Sequence, residues 1–322
     1  MLRSDAPPSA AAPVGLQDVL TARELIRGDV RRTPIWAVTV QSPDGPREVL
    51  LKLEQLQVSG TFKARGAFTA VRRMQAGNSR HTGGFIIASG GNAGIAAAVA
   101  CRSIGAELTV VAPRWAPASK VDRLRALGAR VVLDGETHVQ THLVVKELSA
   151  ASGAVTLHPY DSVDAVAGAG TLALELAEQY PGHGPVVVSV GGGGLIAGVT
   201  TVGRAHGFLT VGVEPHGAPT LNRARTAGRP VDVDVDTSAA DSLGAQKLGA
   251  LAFLACGSGP QVESILVSDN DMEAARSYLW EQFRLNVELS AAAALAAVTT
   301  GQLAESVAPP VIVLCGANLP GP

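Results

Sequence analysis

The stretch Pro185-Val186-Val187-Val188-Ser189-Val190-Gly191-Gly192-Gly193-Gly194-Leu195-Ile196-Ala197-Gly198 passes from a β-branched apolar run into small and apolar residues through four consecutive glycines. The first part predicts a buried strand and the last part predicts the start of a helix. A strand joined to a helix by a short turn is the unit from which parallel sheets are built. The stretch therefore favours an α/β fold, with an anion site at the glycine turn where helix N–H groups are exposed.

The same alternation of short apolar runs and Ala-rich segments extends over most of the 322 residues. This length exceeds what one compact core usually holds, so we expect two domains or one large α/β domain. The expected layers are parallel-rich sheets flanked by helices on both faces. The predicted strands lie near residues 49–53, 85–88, 107–112, 130–133, 154–157, 186–190, 210–213, 263–267 and 311–314.

Composition excludes several classes of partner. The formal net charge is -2 and 17% of the residues are charged, which gives no basic stripe for nucleic acid. Residues 1–14 lack the continuous apolar core of a signal peptide, and no later apolar run predicts a membrane span. Cys101, Cys256 and Cys315 are far apart and predict neither a disulfide framework nor a zinc site. We expect a cytoplasmic protein that acts on a small molecule.

A second stretch, Ser59-Gly60-Thr61-Phe62-Lys63-Ala64-Arg65-Gly66-Ala67, places a lysine in the first turn of a predicted helix. The helix dipole disfavours a positive charge there, and partial burial lowers the lysine pKa further. Because the neutral amine is the nucleophilic form, Lys63 is a candidate for covalent attachment to an aldehyde. The alternative is an ordinary surface lysine, which is the more common case for a lysine taken alone.

A third stretch, Ala88-Ser89-Gly90-Gly91-Asn92-Ala93-Gly94, lies between a predicted strand and a predicted helix. Its small residues allow several N–H groups to converge on an anion such as a carboxylate, and Asn92 adds an amide donor for a phenolic oxygen. Taken alone, the pattern is equally typical of a strand-to-helix turn that needs glycine.

A reactive amine and a glycine-rich anion cradle together suit a phosphorylated aldehyde such as pyridoxal 5'-phosphate. The glycine turn also fits a rival cofactor, because Gly192, Gly194 and Ala197 satisfy G-x-G-x-x-A. Glu214 then lies about twenty residues further on, where a dinucleotide-binding fold places an acidic residue. An NAD-dependent oxidoreductase is therefore the alternative from another class.

Five motifs occur in an order that separates these alternatives. They are Gly60-Thr61-Phe62-Lys63-x-Arg65-Gly66-Ala67, Ser89-Gly90-Gly91-Asn92-Ala93-Gly94, His158-Pro159-Tyr160-Asp161, the four glycines, and Cys315-Gly316-Ala317-Asn318. From about residue 32 to residue 318 the chain resembles the serine/threonine dehydratase family of fold-type II pyridoxal phosphate enzymes, which are tryptophan synthase β-like in fold. The resemblance implies dehydration and deamination of L-threonine or L-serine to 2-oxobutanoate or pyruvate and ammonia.

The resemblance also implies roles for individual residues. Lys63 would bind the cofactor aldehyde and serve as the catalytic general base. The implied cofactor contacts are Phe62, Lys63, Asn92, Gly191, Gly192, Gly193, Gly194 and Cys315, and the implied substrate contacts are Ser89, Gly90, Gly91, Asn92 and Ala93. A thiol such as Cys315 holds the pyridine nitrogen protonated less firmly than a carboxylate, which favours prompt loss of a β-leaving group.

Two departures from the family pattern bear on the reaction and on a cation site. Racemases of the family resemble a pattern with serine at the position of Gly90, so a two-base racemisation would lack one of its bases. A serine racemase and a 3-hydroxyaspartate dehydratase are the alternatives within the family. Similar enzymes also bind a cation: Glu214 and the Ala218 carbonyl match two of its ligands, and Thr220 replaces an aspartate. The lower charge favours a monovalent ion such as potassium, or no ion.

The expected architecture follows from the resemblance. A large domain would comprise residues 1–77 and 158–322 and carry the lysine and the phosphate loop, and a small domain of residues 78–157 would carry the carboxylate loop. Closure of the cleft between them would exclude water. Similar enzymes are usually homodimers. Because biosynthetic members append a regulatory domain and no residues remain for one after Pro322, we expect a catabolic or broad-specificity enzyme.

Three local patterns carry predictions of their own. Ser268 and Asp271 have the spacing of a capping box at a helix start. Residues 215–262 predict an irregular surface excursion with at most one edge strand. His138 and His142 have a spacing that can bind a metal, but with no third ligand nearby in sequence a solvated helix face is favoured.

Overall fold

The computed structural model describes residues 12–77, 83–114, 116, 118–136 and 138–319. These residues form two sheets covered by helices. The larger sheet contains β1 (Ile35–Ser42), β2 (Gly45–Lys52), β7 (Val186–Ser189), β8 (Thr210–Pro215), β9 (Val262–Val267) and β10 (Val311–Val313), and the smaller contains β3 (Phe85–Ala88), β4 (Leu108–Ala112), β5 (Arg130–Leu133) and β6 (Val155–Leu157). The predicted α/β fold with parallel-rich sheets is confirmed.

The strand orders are β1-β2-β10-β7-β8-β9 and β5-β4-β3-β6. Every neighbouring pair is parallel except β1 and β2, which form an antiparallel hairpin. In parallel sheets, binding sites form beyond the carboxyl ends of the strands. The residues that follow β3, β6, β7 and β10 are those of the serine-glycine loop, the motif of residues 158–161, the four glycines and Cys315. The topology therefore brings four of the five quoted motifs to such ends.

Helices pack on these sheets and supply the remaining motif. They are α1 (Leu16–Leu25), α2 (Lys63–Ala76), α3 (Asn92–Ser103), α4 (Ala118–Ala126), α5 (His138–Ser152), α6 (Val163–Gln179), α7 (Gly194–His206), α8 (Thr220–Ala227), α9 (Ala240–Leu243), α10 (Ala250–Cys256), α11 (Asp269–Phe283) and α12 (Leu289–Thr299). The Ala-rich α12 is buried along most of its length and packs against the larger sheet. Its small side chains allow that close approach, which places Glu288 at its N-terminal end inside the protein.

A buried ion cluster fixes α2 beneath the lysine motif. The Arg65 guanidinium lies 2.7 Å from Glu54 and 2.8 Å from Glu175, and Glu175 also lies 2.7 Å from the Lys52 ammonium. The side chains of Arg65, Glu54 and Lys52 are fully buried. Burial raises the pKa of Glu54, but the charges of Arg65 and Lys52 and the hydrogen bonds from Arg65 and Thr33 together outweigh this effect, and the net pKa is lowered. Charges without water require such complete pairing, so the cluster permits few positions for the first turn of α2.

The structure corrects two sequence-based predictions and confirms one. The strand β1 was not predicted, since its apolar residues are sparse and several of its side chains face solvent. Residues 215–262 contain α8, α9 and α10 instead of an irregular excursion, and an isolated bridge between Asp232 and Lys247 takes the place of an edge strand. The capping box is confirmed, because the Ser268 Oγ accepts from the Asp271 N–H at 3.1 Å and Asp271 accepts from the Ser268 N–H at 2.9 Å.

The smaller sheet lies within residues 85–157, and the predicted domain boundaries at 77 and 158 stay a prediction. In the described part of the chain, none of the helices has the length and apolar character that a bilayer crossing requires.

Candidate active site

Lys63 is the first residue of α2, and the end of β10 holds the segment before it. Ser59 and Gly60 both have positive φ, at 67° and 74°, which turns the chain sharply before the helix. The Phe62 N–H then donates to the Cys315 carbonyl at 3.0 Å, and Thr61 bridges to Gly316. These contacts join two motifs that are about 250 residues apart in sequence, as the Thr61 to Cys315 separation of 254 shows.

The Lys63 amine lies in a largely apolar setting. Its Nζ donates to the Pro159 carbonyl at 2.8 Å and lies 5.0 Å from the centroid of the Phe62 ring. Burial lowers the pKa of Lys63 to about 8, against a smaller opposing effect from Cys315. The direction of this pKa shift is the one that the sequence predicted. About one tenth of the amine is therefore neutral and nucleophilic at pH 7, far more than for an ordinary lysine.

The four glycines form the turn from β7 into α7. Gly193, the residue before α7, has a φ of 91°, which favours glycine. A Cβ on Gly192 would overlap the ring of Tyr160, so only glycine allows this ring and the turn to lie so close. The first N–H groups of α7 have no partners within the helix and carry its positive dipole end. The turn therefore has the character of a phosphate site.

A second helix start lies across the cavity. The loop from Ser89 to Gly91 leads into α3, whose first residue is Asn92. Its N–H groups present the same kind of anion-binding surface as those of α7, here without a charged side chain within the loop itself. A carboxylate suits this position as well as a phosphate does.

One cavity of about 580 Å³ joins these elements. Every residue predicted to contact cofactor or substrate lines it: Phe62, Lys63, Ser89, Gly90, Gly91, Asn92, Ala93, Gly191, Gly192, Gly193, Gly194 and Cys315. A smaller cavity of about 110 Å³ lies behind Lys63 and is lined by residues of α2, α3 and α6. The structure thus brings the predicted amine, anion sites and thiol together, and their individual roles stay predictions.

Cys315 follows β10 at the edge of the cavity and remains a neutral thiol. Burial raises its pKa to about 12, and the negative charge of Glu288 adds to this effect. A neutral thiol offers a weak hydrogen bond and no negative charge to a pyridine nitrogen.

Glu288 is a buried residue that the sequence did not reveal. Its carboxylate accepts hydrogen bonds from the Asn92 Nδ2 at 2.8 Å, the Asn318 N–H at 2.6 Å and the Ser290 Oγ at 3.2 Å. Asn318 completes the group, since its Nδ2 donates to the Asn92 Oδ1 at 2.7 Å. The only available signal in sequence was an acidic residue directly before an apolar helix, which is typical of many helix starts.

Glu214 has a structural role, because its carboxylate caps the start of α8. Its carboxylate is fully buried and accepts from the Leu221 N–H at 2.7 Å and the Asn222 N–H at 2.9 Å, at the start of α8. The Thr220 Oγ lies 2.9 Å from Glu214 and 2.6 Å from the Gly191 carbonyl. An acidic residue that caps a helix is not available for the ribose of a dinucleotide, which argues against the NAD alternative.

Glu214, Ala218 and Thr220 are neighbours as the cation prediction requires, but the Ala218 carbonyl accepts from the Thr220 N–H at 3.0 Å. Within the described residues, no group of three His, Cys, Asp or Glu side chains is arranged to hold a metal. Potassium binding stays a prediction. The exposed His142 stacks on His158 with a centroid separation of 6.3 Å, and the side chain of His138 lies outside the described residues.

Two lysines at the outer part of the cavity are paired. Lys120 forms an ion pair with Asp241, and Lys247 lies 2.9 Å from Asp232. All four residues line the cavity. The outer part is therefore close to neutral, and the anion-binding character is concentrated at the two helix starts.

The residues present fit pyridoxal 5'-phosphate. An amine with a lowered pKa, two helix starts and an amide donor at Asn92 all face one cavity, and a neutral thiol lies at its edge. This donor set matches an aldehyde, a phosphate, a phenolic oxygen and a pyridine nitrogen in turn.

The comparison with known proteins identifies the family. The profile of the family described as "Pyridoxal-phosphate dependent enzyme" matches residues 26–316. The chain belongs to this family, and within it to the fold-type II serine/threonine dehydratase family.

Its relatives differ in their reactions. The chain is 32% identical to an L-threonine ammonia-lyase from Thermotoga maritima over 88% of this chain and 71% of that protein. It is 34% identical to a phenylserine dehydratase from Ralstonia pickettii over 94% and 93% of the two chains. A serine racemase structure from Dictyostelium discoideum has a TM-score of 0.85 at 27% identity, and covers 96% of this chain and 100% of that one.

Proposed function

We propose that the protein is an ammonia-lyase that removes the β-hydroxyl and the amino group of L-threonine or L-serine. The products are 2-oxobutanoate or pyruvate and ammonia. The observation that carries this proposal is the Lys63 amine, which has a pKa of about 8 and lines the same cavity as the glycine turn and the Ser89–Ala93 loop. Pyridoxal 5'-phosphate, when bound, supplies the electron sink for the bond broken at the substrate Cα.

Lys63 serves as the general base in this proposal. A pKa near 8 leaves the amine able to take the α-proton at neutral pH and to return it later. The Pro159 carbonyl, 2.8 Å away, gives the amine a fixed orientation without neutralising it. The α-proton that Lys63 takes balances the proton that the hydroxyl needs to leave as water. A second water then releases the nitrogen as ammonia, so no oxidant or reductant is needed.

The loop from Ser89 to Ala93 binds the substrate carboxylate. Its N–H groups lie at the start of α3, where a negative charge is stabilised by about 0.3–1 kcal/mol per charge near a helix end. A carboxylate held there fixes the Cα relative to Lys63, because both line the one cavity. Orientation of this kind supplies a large part of the rate enhancement in such reactions.

Two residues that line the cavity, Gly90 and Cys315, favour elimination over racemisation. Racemisation with two bases needs a second proton donor on the face opposite Lys63, and Gly90 offers no side chain. The neutral Cys315 thiol supports the same choice, because it would not keep the pyridine nitrogen of the cofactor protonated. The ring would then stabilise negative charge at Cα less well, which favours prompt loss of the hydroxyl. The serine racemase relative shows that the fold itself is compatible with either reaction.

An uncharged substrate side chain is favoured as well. A second carboxylate, as in 3-hydroxyaspartate, would need a cation, but Lys120 and Lys247 are paired with Asp241 and Asp232. The four side chains carry no net charge together, so a second carboxylate meets no net attraction from them. Larger neutral side chains remain compatible with a cavity of about 580 Å³, and the phenylserine dehydratase relative supports their inclusion in the test.

The test is a keto-acid assay on the purified holoenzyme with L-serine, L-threonine, L-threo-3-phenylserine and 3-hydroxyaspartate. We expect keto acid and ammonia in equal amounts from at least one neutral substrate, and D-amino acid in much smaller amounts. Faster formation of D-serine than of pyruvate would support the racemase alternative instead.

The Lys63→Ala variant should lose both the yellow colour of bound cofactor and ammonia release. Lys146→Ala, on an exposed position of α5, is the matched control and should keep both. A coloured and active Lys63→Ala protein would reject the proposal.

A further inference from the structure

Glu288 is a buried carboxylate behind the wall of the cavity. Only 8% of its surface is exposed, and the wall in front of it consists of Asn92, Ser290 and Cys315. An ionised carboxylate in such a place is costly unless it is hydrogen-bonded to several donors. The three donors described above meet this requirement, so the residue is retained in a well-defined arrangement.

The carboxylate decides which way the Asn92 amide points. The Asn92 Nδ2 donates to it at 2.8 Å, as an ionised carboxylate requires, since such a group only accepts hydrogen bonds. Burial raises the pKa of Glu288, and the hydrogen bonds from Asn92, Asn318 and Ser290 oppose this effect. The Asn318 Nδ2 donates to the other end of the same amide at 2.7 Å. With both ends fixed, Asn92 keeps one N–H free of these two contacts. Asn92 lines the cavity, where that N–H can serve as a donor.

Glu288 also contacts the opposite side of the wall, through its carboxylate and through its main-chain N–H. The Ser290 Oγ donates to the carboxylate at 3.2 Å, and the Glu288 N–H donates to the Gly316 carbonyl at 3.1 Å. Gly316 directly follows Cys315, and Ser290 lines the cavity next to this thiol. One residue therefore connects the start of α3, on the smaller sheet, to the segment that follows β10 on the larger sheet.

We propose that Glu288 is a positioning residue for the cofactor: it acts through Asn92 and the Ser290–Cys315 side of the cavity to orient the groups that face the pyridine ring. This inference rests on the proposed function, because it requires that Asn92 contacts the cofactor. The negative charge of Glu288 also adds to the effect of burial in raising the pKa of Cys315. Both effects keep the thiol neutral.

The test is a double-mutant cycle on cofactor affinity. Glu288→Gln keeps the size of the side chain but presents an NH₂ group to donors, and Asn92→Ala removes the group through which it acts. The dissociation constant of pyridoxal 5'-phosphate is measured by titrating each apoenzyme and following the visible absorption. We expect roughly tenfold weaker binding for Glu288→Gln, the usual size of one lost hydrogen bond to a charged group.

In the Asn92→Ala background the same substitution should weaken binding by less than about threefold, because coupled residues show non-additive effects. Glu263→Gln, on the exposed side of β9, is the control and should leave the dissociation constant unchanged. A purely structural role would give equal effects in both backgrounds. Equal effects, or unchanged binding in Glu288→Gln, would overturn the inference.

If Glu288→Gln does not fold, as judged by circular dichroism, Glu288→Asp replaces it under the same criteria. The outcome is separable from that of the proposed function. An active wild-type enzyme with an additive cycle rejects only the role of Glu288, whereas a coloured and active Lys63→Ala protein rejects the proposed function.

Discussion

The Nζ of Lys63 donates a hydrogen bond to the main-chain carbonyl of Pro159 at 2.8 Å, within a mostly apolar part of the cavity. A carbonyl oxygen orients an amine but carries no full charge, so it does not hold the proton as a carboxylate would. This explains how burial can lower the pKa to about 8 while the amine stays in one place.

The first prediction concerns the pH dependence of cofactor attachment. Raising the pH through about 8 converts the Lys63 ammonium to the neutral amine, so attachment to the apoenzyme should accelerate and then level off. At pH 7 about one tenth of the amine is neutral for a pKa one unit higher. The measurement is the rate of yellow colour formation after mixing apoenzyme and cofactor between pH 6.5 and 10. A rate that keeps rising through pH 10 would show an amine with an ordinary lysine pKa.

The second prediction tests the glycine turn. Gly192→Ala introduces a Cβ that overlaps the Tyr160 ring, so the turn or the ring must move. Overpacking of this kind costs about 1–3 kcal/mol, and we expect cofactor affinity to fall by about tenfold or more. Gly77→Ala, where the nearest atom lies 3.6 Å from the new Cβ, is the control and should bind cofactor normally. Equilibrium titration of both apoenzymes provides the comparison.

The third prediction concerns the ion cluster beneath α2. Arg65→Ala leaves Glu54 buried without its cation, and we expect the free energy of unfolding to fall by about 3–5 kcal/mol. Urea denaturation measures the change. Arg27→Ala, whose side chain is 82% exposed, should change stability by less than about 0.5 kcal/mol. A small effect of Arg65→Ala would mean that water enters the site of the lost guanidinium.

The fourth prediction tests why Gly90 favours elimination. In Gly90→Ser, the new Cβ lies 3.3 Å from that of Ala112, which requires only a slight shift. The added hydroxyl faces the cavity and supplies a proton donor where the wild type has none at this position. We expect the ratio of D-serine to pyruvate to rise, measured by chiral chromatography alongside the keto-acid assay. An unchanged ratio would show that the second base is not what separates the two reactions here.

Much of the fold was predictable because buried parallel strands leave a strong signal. The strand Val186–Ser189 is buried throughout and begins with three valines. In contrast, several side chains of β1 face solvent, and its sequence shows only a weak alternation of Val38 and Val40 with polar residues. The helix α10 was missed because its few Ala and Leu residues follow a segment rich in glycine and aspartate.

The residues that line the cavity were predictable because they follow strands and contain glycine for close approach. Glu288 was not, since its role depends on Asn92 and Asn318, and only the folded chain brings these three together. Local patterns carry no information about a partner 196 positions away, the separation between Asn92 and Glu288. The pairing of Lys120 with Asp241 escaped prediction for the same reason.

The strand β10 lies between β2 and β7, so the last strand to be synthesised is inserted in the middle of the larger sheet. The β1–β2 hairpin and the β7–β8–β9 unit pair with each other only through β10, so the larger sheet cannot be completed before residues 311–313 are available. Until then the Cys315 side of the cavity does not exist, and Lys63 lacks the Cys315 carbonyl that holds the start of its helix. Cofactor capture therefore depends on residues 311–316, and a chain that stops before β10 should yield an apoprotein that cannot be rescued by added cofactor.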